Sequence, residues 1–261
     1  MNIIYDFGAN DGSNIPYYLL KSDLVVAVEA NPSLTRKIES RFAKEVQAGR
    51  LKVVTCALSD REGGPDIEFF VNRKSSAHSQ ILRPADNILE QFESIRTPGR
   101  TASSIISQFG APFYVKIDVE HYDQAILKDL FENGIRPPFL SAESHSIGVF
   151  AELVANGHYN AFKLVRGGKG LDEYRNTRIQ TGNGSIAYSF TGETAGPFGE
   201  DLHGGWQTAD EFVFTLAYER LGWMDIHATN LPQPDGENQT HPTRMTIRQF
   251  LRMLRKSRKR Y

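Results

Sequence analysis

Short apolar runs separated by amphipathic stretches recur along the front half of the chain, and this alternation limits the fold more than any other feature. Residues 3–7, IIYDF, read as a buried strand stopped by Gly8. Pro16 suits the first turn of a helix, continued by Tyr17, Tyr18, Leu19 and Leu20. Residues 24–28, LVVAV, predict a second strand ended by Glu29, and Asn31-Pro32-Ser33 opens a helix to about Phe42. Further strands are expected at 51–58, 67–71, 114–119 and 139–143. Helices are expected at 123–131, 149–155 and 208–221. Parallel strands need a crossover, usually a helix, so the pattern implies an α/β sheet with helices on both faces.

Composition sets outer limits. The 261 residues are 40 % hydrophobic, enough for one large domain or two small ones, and the formal net charge of -1 gives no overall field for a polyanion. Cys56 is the only cysteine, so no intrachain disulfide can form, and a reducing, cytoplasmic setting is expected. No apolar run reaches membrane-spanning length, and the first residues lack a signal-peptide pattern. We read 1–261 as one domain with candidate substrate lids at 72–110 and 167–207 and a basic tail at 244–261. Two N-x-S/T sequons, at Asn183 and Asn238, carry little meaning in a cytoplasmic chain.

The loop after the first strand, DFGANDGSN, selects the ligand class. It lacks the G-K-S/T of a phosphate-binding loop. It also lacks the middle glycine of G-x-G-x-x-G, having only Gly8 and Gly12. Asp6 and Asp11 would repel phosphate, yet they suit a ligand with cationic groups and no phosphate. S-adenosylmethionine has a cationic amino group, a cationic sulfonium and two ribose hydroxyls. Glu29, ending the second strand about twenty residues on, stands where doubly wound folds meet a ribose.

The segments DFGANDGSN, VEANP, VTCALSD, VKIDVEHYD and FLSAES, in that order over residues 3–145, resemble the FkbM family of S-adenosylmethionine-dependent methyltransferases. The resemblance implies a class I methyltransferase (Rossmann-like) fold with a seven-stranded, mostly parallel sheet. It also implies methyl transfer to a hydroxyl of a sugar, glycan or related natural product. By position it places Asp6, Gly8, Ala9, Asn10, Asp11, Gly12, Ser13 and Asn14 along the cofactor loop. Glu29 and Ala30 fall at the ribose, Ala57 and Leu58 beside the adenine. The family's D-V-E-G-x-E reads D-V-E-H-Y-D here, so His121 and Asp123 replace a glycine and a glutamate. The sequence begins on the first strand, so the lid is expected from within the chain.

A sugar hydroxyl is a very weak acid, and a base or metal must take or weaken its proton. Asp118 and Glu120 are two apart at the end of one strand, and Glu143 and His145 at the end of the next. Residues two apart on a strand face the same way, so the four are expected to converge beside the cofactor. His145 is the first choice of general base, with neighbouring carboxylates expected to raise its pKa. His121 is the second choice, and Asp118 can instead serve the cofactor's amino group. Magnesium on Asp118, Glu120, Glu143 and His145 is a further option.

For the acceptor, GPFGEDLHGGW offers Phe198 and Trp206 as ring faces, and Asp201 and His203, with Glu200, as hydrogen-bonding groups. Glu120 and Glu143 join that substrate set. Arg73, Lys74 and His78 suit either an acceptor phosphate or a solvated loop. The tail has apolar residues at helical spacing among arginines and lysines. It fits an anionic membrane surface, nucleic acid less well, or simple solvation. The rival readings are a nucleic-acid methyltransferase and a non-catalytic S-adenosylmethionine-binding protein. The N/D-P-P-Y/F motif usual in amino-methylating DNA enzymes is missing where DVEH stands.

Overall fold

The computed structural model describes residues 1–60, 62 and 66–232. The basic tail and Asn238 lie outside them. The chain runs β1 (Ile3–Phe7), α1 (Ile15–Lys21), β2 (Leu24–Glu29), α2 (Pro32–Arg41), α3 (Ala43–Gln47), β3 (Leu51–Thr55) and the short β4 (Ala57–Leu58). Then come β5 (Ile67–Asn72), β6 (Phe92–Thr97), β7 (Gly99–Arg100), α4 (Ala102–Phe109), β8 (Tyr114–Ile117), α5 (Asp123–Glu132), β9 (Phe139–Glu143) and α6 (Ile147–Ala155). The remainder is β10 (Ala161–Arg166), β11 (Thr177–Thr181), β12 (Gly184–Tyr188), α7 (Ala209–Glu219) and β13 (Met224–Thr229).

Seven strands form the central sheet, in the order β10-β13-β9-β8-β1-β2-β3. β3, β2, β1, β8 and β9 are parallel, and β13 runs antiparallel between β9 and β10. This strand order, with one reversed strand inserted next to the edge, is the class I methyltransferase, Rossmann-like arrangement that the resemblance implies. The carboxyl ends of β1, β2, β8 and β9 share one rim, where open α/β sheets bind ligands.

Local chemistry explains the element ends. Pro32 occupies the first turn of α2, and the Asn31 side chain caps it by accepting from the Ser33 N–H. Thr101 caps α4 in the same way, and Thr208 with Glu211 forms a capping box at α7. Every residue of β1 and β2 is buried, because helices cover both faces of the sheet. On one face Phe7, Val26, Ile105, Ile126, Leu130, Phe150 and Phe212 pack together. On the other, Ile4, Val25, Ile38, Tyr17, Tyr18 and Tyr114 do.

Three departures from the sequence reading have physical causes. β13, MDIHAT, is a buried central strand that its sequence conceals. Its Asp225 and His227 fall in a polar band across the sheet with Lys163, Ser141, Lys116 and Asp6. There Lys116 Nζ lies 3.0 Å from Asp225, so the strand buries polar side chains that are partly satisfied by one another. Second, 72–110 is not one insert. β5 and β6 pair as a hairpin outside the main sheet, whereas α4 buries Ala102, Ile105 and Ile106 in the core.

Third, none of the acceptor candidates drawn from 167–207 lines the cavity at the strand ends, and each has partners within the fold. Phe198 is buried and stacks on Tyr114 at 3.9 Å between centroids. Asp201 is buried and accepts from Tyr17 Oη at 2.7 Å and Lys21 Nζ at 2.8 Å. His203 stacks on Tyr174 and meets Thr177 Oγ1 at 3.0 Å. Trp206 carries the Lys163 ammonium 4.8 Å over its ring. Glycine-rich composition suggested an open loop. The aromatics instead pin the segment against α1 and the sheet.

Candidate functional site

Gly8 brings two strand ends together. Its φ of +91° is a conformation that glycine adopts freely, and a Cβ there would lie 1.8 Å from the Asp118 carbonyl oxygen. The N–H groups of Gly8 and Ala9 both donate to the Val28 carbonyl, at 3.0 and 2.9 Å. The chain therefore turns sharply over the end of β2. Asn10, also at positive φ, donates its N–H to Glu29 Oε2 at 2.9 Å, and Asn31 donates to Glu29 Oε1 at 2.8 Å. Each oxygen thus keeps a lone pair. Burial pushes the Glu29 carboxyl up to about 7, against the opposing pull of the Asn31 and Asn10 N–H groups.

The rim encloses a cavity of about 490 Å³, within the usual range for small-molecule sites. From the sequence-derived candidates its wall takes Gly8, Asn10, Glu29, Ala57, Leu58, Asp118, Glu120, Glu143 and His145. His121 packs against His145 with the rings tilted at 56° and 4.3 Å between centroids. The remaining loop candidates do other work. Asp6 is fully buried, and burial raises its pKa to about 7 against the opposing pull of Lys116. Ala9 and Ala30 are buried. Asp11 accepts from the Ser13 N–H, a local turn bond, and faces solvent. Gly12 packs against Ile15, Ile38 and Phe42. Ser13 donates to the Glu193 carbonyl, and Asn14 accepts from the Ala195 N–H.

Sequence reasoning found the other wall in part, through the candidate lid in 72–110 and His78, and missed Phe69, Val119, Tyr122, Gly222 and Trp223. Phe69, Ser75, Ser76, Ala77, His78, Ser79 and Ile81 come from the β5 hairpin, and Val119, Tyr122, Gly222 and Trp223 complete the wall. The hairpin docks on the loop through Ser76 Oγ, which donates to Asn10 Oδ1 at 2.7 Å. Phe69 packs with Ala30, Ala57, Ile67 and Ile81 into an apolar slot beside Glu29. Trp223 is 67 % exposed, and a methyl group on Gly167 would lie 2.7 Å from its indole, so the ring is seated on Gly167-Gly168. A proposed lid in the polar 72–110 stretch was the one available signal for these residues, and Trp223 had none.

The polar end of the cavity differs from the expected strand-end pairs. β8 stops at Ile117, and Glu120 and His121 both have left-handed backbone, with φ of 42° and 68°. A turn, and not strand alternation, brings them to His145. Lys116 Nζ lies 3.2 Å from Asp118. Burial opposes ionisation of Asp118, but Lys116 and a hydrogen bond with Glu143 hold its carboxyl below the usual range. Burial and then the Asp118 charge push the Glu143 carboxyl far up. Burial and Asp118 likewise raise Glu120 to about 7.

His145 Nδ1 sits 3.4 Å from Glu143 and Nε2 3.8 Å from Glu120. Its pKa is lowered, by burial first and then by His121. This corrects the expected rise: two of the three neighbouring carboxylates are themselves pushed toward the protonated form and bring little charge.

Among the described residues lining the cavity there is no lysine or arginine. A pyrophosphate there would meet the carboxylates of Glu29, Asp118, Glu120 and Glu143 with no ammonium or guanidinium to offset them. The features present fit S-adenosylmethionine: an acid with spare lone pairs, an apolar slot beside it, a bare Gly8 and a cluster of carboxylates.

The chain matches no family model and no curated protein sequence. Among solved structures it is similar to the methyltransferase FkbM from Methylobacillus flagellatus KT, at 15 % identity and a TM-score of 0.42 over 62 % of this chain. The matched part spans only 39 % of that protein. It is also similar to the C-terminal domain of precorrin-6Y C5,15-methyltransferase from Rhodobacter capsulatus, at 9 % identity and a TM-score of 0.40, over 87 % of this chain and 79 % of that one. A third is the O-methyltransferase from Bacillus cereus in complex with SAH, at 9 % identity and a TM-score of 0.38, over 87 % and 74 %. Strand order, the reversed β13 and the loop at Gly8 define the class: a class I methyltransferase fold. FkbM, the family that the sequence motifs resemble, appears by name among these likenesses, and the fold assignment rests on the topology.

Proposed function

We propose that this chain is an S-adenosylmethionine-dependent O-methyltransferase, acting on a hydroxyl of a sugar, glycan or related natural product as the resemblance to FkbM implies. The observation that carries the reading is one cavity with the Glu29 carboxylate and an apolar slot at one end and the His145 cluster at the other. Glu29 accepts from the ribose hydroxyls, Ala57, Leu58, Phe69 and Ile81 hold the base, and Gly8 lets the backbone come close. Bound there, S-adenosylmethionine supplies an electrophilic methyl group on a cationic sulfur. Asp118 holds the cofactor's amino group.

The chain's own task is then to position an acceptor oxygen and dispose of its proton. Trp223 presents an exposed ring face at the cavity wall for a sugar ring. Glu120, Glu143 and His145 surround the place where the hydroxyl proton leaves. Magnesium is disfavoured, because it prefers an all-oxygen shell and His121 and His145 enter the cluster. The lack of cationic side chains on the described wall also speaks against a nucleic-acid strand as acceptor.

No helix among the described residues is long and apolar enough to cross a membrane. A cytoplasmic location, and contact of the tail with an anionic membrane, remain proposals from the sequence. The test is transfer of labelled methyl groups to a panel of free sugars, nucleotide sugars and glycolipids. Label recovered as a sugar methyl ether is the expected result. Label found only in nucleic acid, or in no acceptor while the cofactor binds, contradicts it.

A further inference from the structure

We propose that Glu120, His121 and His145 bind a divalent transition-metal ion such as zinc or cobalt, with Glu143 orienting His145 from behind. As a means of activating the acceptor, the ion rests on the proposed methyl transfer. As a binding site it does not.

Geometry is the first argument. One donor atom from each of the three residues lies within 4.8 Å of the others. Bonds of about 2.1 Å to a shared ion separate donors by about 3 to 3.5 Å, so a contraction of roughly 1 Å completes the site. His121 is exposed, and side-chain rotation on the turn can supply that movement.

The backbone is the second argument. Two consecutive non-glycine residues, Glu120 and His121, hold positive φ. Each such residue costs of order 1 kcal/mol or more, and strain of this kind gathers at functional sites. Here it turns both side chains toward His145.

Ring orientation is the third. His145 points Nε2 at Glu120 and Nδ1 at Glu143, at 3.8 and 3.4 Å. Nδ1 is buried and makes no hydrogen bond with good geometry. A metal-bound imidazole characteristically donates its other N–H to a carboxylate, and Glu143 stands in that place.

Charge is the fourth. Asp118 has Lys116 as its cation, whereas among the described residues no lysine or arginine pairs with Glu120. Two imidazoles and one carboxylate favour zinc, cobalt, nickel or iron over magnesium, which prefers an all-oxygen shell. Three protein ligands leave a position facing the cavity. A hydroxyl bound there has its pKa lowered by the ion.

The experiment uses the untagged full chain, stripped with a chelator and desalted. Cobalt(II), zinc(II) and magnesium are titrated separately by calorimetry, and cobalt also by visible absorption. One cobalt or zinc per chain, ligand-field bands in the cobalt form and no magnesium binding at the same concentration are expected. Glu143→Gln should weaken cobalt binding about tenfold to a hundredfold, and His121→Asn and His145→Gln by more.

Thermal unfolding of each variant checks that it folds, and His121→Asn changes an exposed side chain. Absence of stoichiometric cobalt and zinc binding, equal binding of magnesium, or unchanged affinity in folded His121→Asn overturns the site. S-adenosylhomocysteine is titrated in parallel. If it binds and the metals do not, the ion falls and the methyltransferase reading stands. If the metals bind and it does not, the reverse holds.

Discussion

Gly8→Ala is expected to destabilise the chain by roughly 3–5 kcal/mol and to abolish binding in the cavity. Two effects add. The left-handed conformation at φ +91° penalises any Cβ, by about 1–2 kcal/mol. The methyl group also falls 1.8 Å from the Asp118 carbonyl oxygen, a backbone atom that cannot rotate away. Relief requires β1 and β8 to part at their carboxyl ends, which would open the rim that carries the site. Gly49→Ala is the control. It has a φ of +72° and nothing within 4 Å of the added methyl group, so only the conformational penalty of about 1 kcal/mol applies. Urea unfolding of both variants measures the difference. Equal losses would show that the close approach of Gly8 to Asp118 is not a constraint on the fold.

His145→Ala is expected to lower turnover about a hundredfold or more while cofactor affinity stays nearly unchanged. Loss of a group that takes or weakens a proton has effects of this size. His145 lies with Glu120 and Glu143 at the polar end of the cavity, away from the slot formed by Ala57 and Phe69. Separate measurement of kcat and of S-adenosylhomocysteine affinity tests it. Near-normal kcat removes His145 from the chemistry. Parallel losses in kcat and affinity would place it at the cofactor instead.

What was legible in the sequence was local. Residues 3–7, apolar but for Asp6, and the apolar run 24–28 are strands next to a glycine, an acid and a proline, and each of those signals acts within a few residues. Gly8, Asn10 and Glu29 meet in the structure because one turn joins them. What was hidden depended on distant partners. β13 carries Asp225 and His227 into the core, and Lys116 on β8 lies 3.0 Å from that aspartate. No window of sequence around MDIHAT contains that lysine.

The acceptor segment misled for a related reason. Asp201 reads as a surface acid until Tyr17 and Lys21, far away in sequence, are seen to hold it. His145 failed in sign and not in place. Counting nearby carboxylates predicts a raised pKa, yet burial raises Glu120 and Glu143 as well, and only the folded chain reveals their burial. The hairpin side of the cavity is an insertion between strands, so no strand pattern located Phe69 or Ile81 in the wall.

The central claim is that this cavity holds an adenosyl ligand with its ribose on Glu29. Calorimetric titration of S-adenosylhomocysteine and of NAD into the full chain and into Glu29→Ala tests it most directly. One S-adenosylhomocysteine per chain is expected, with no detectable NAD binding. Glu29→Ala should weaken the affinity by about 1–3 kcal/mol, since hydrogen bonds from ribose hydroxyls to a charged acceptor are lost. Tight binding of NAD, or an unchanged affinity in a folded Glu29→Ala chain, would contradict the account.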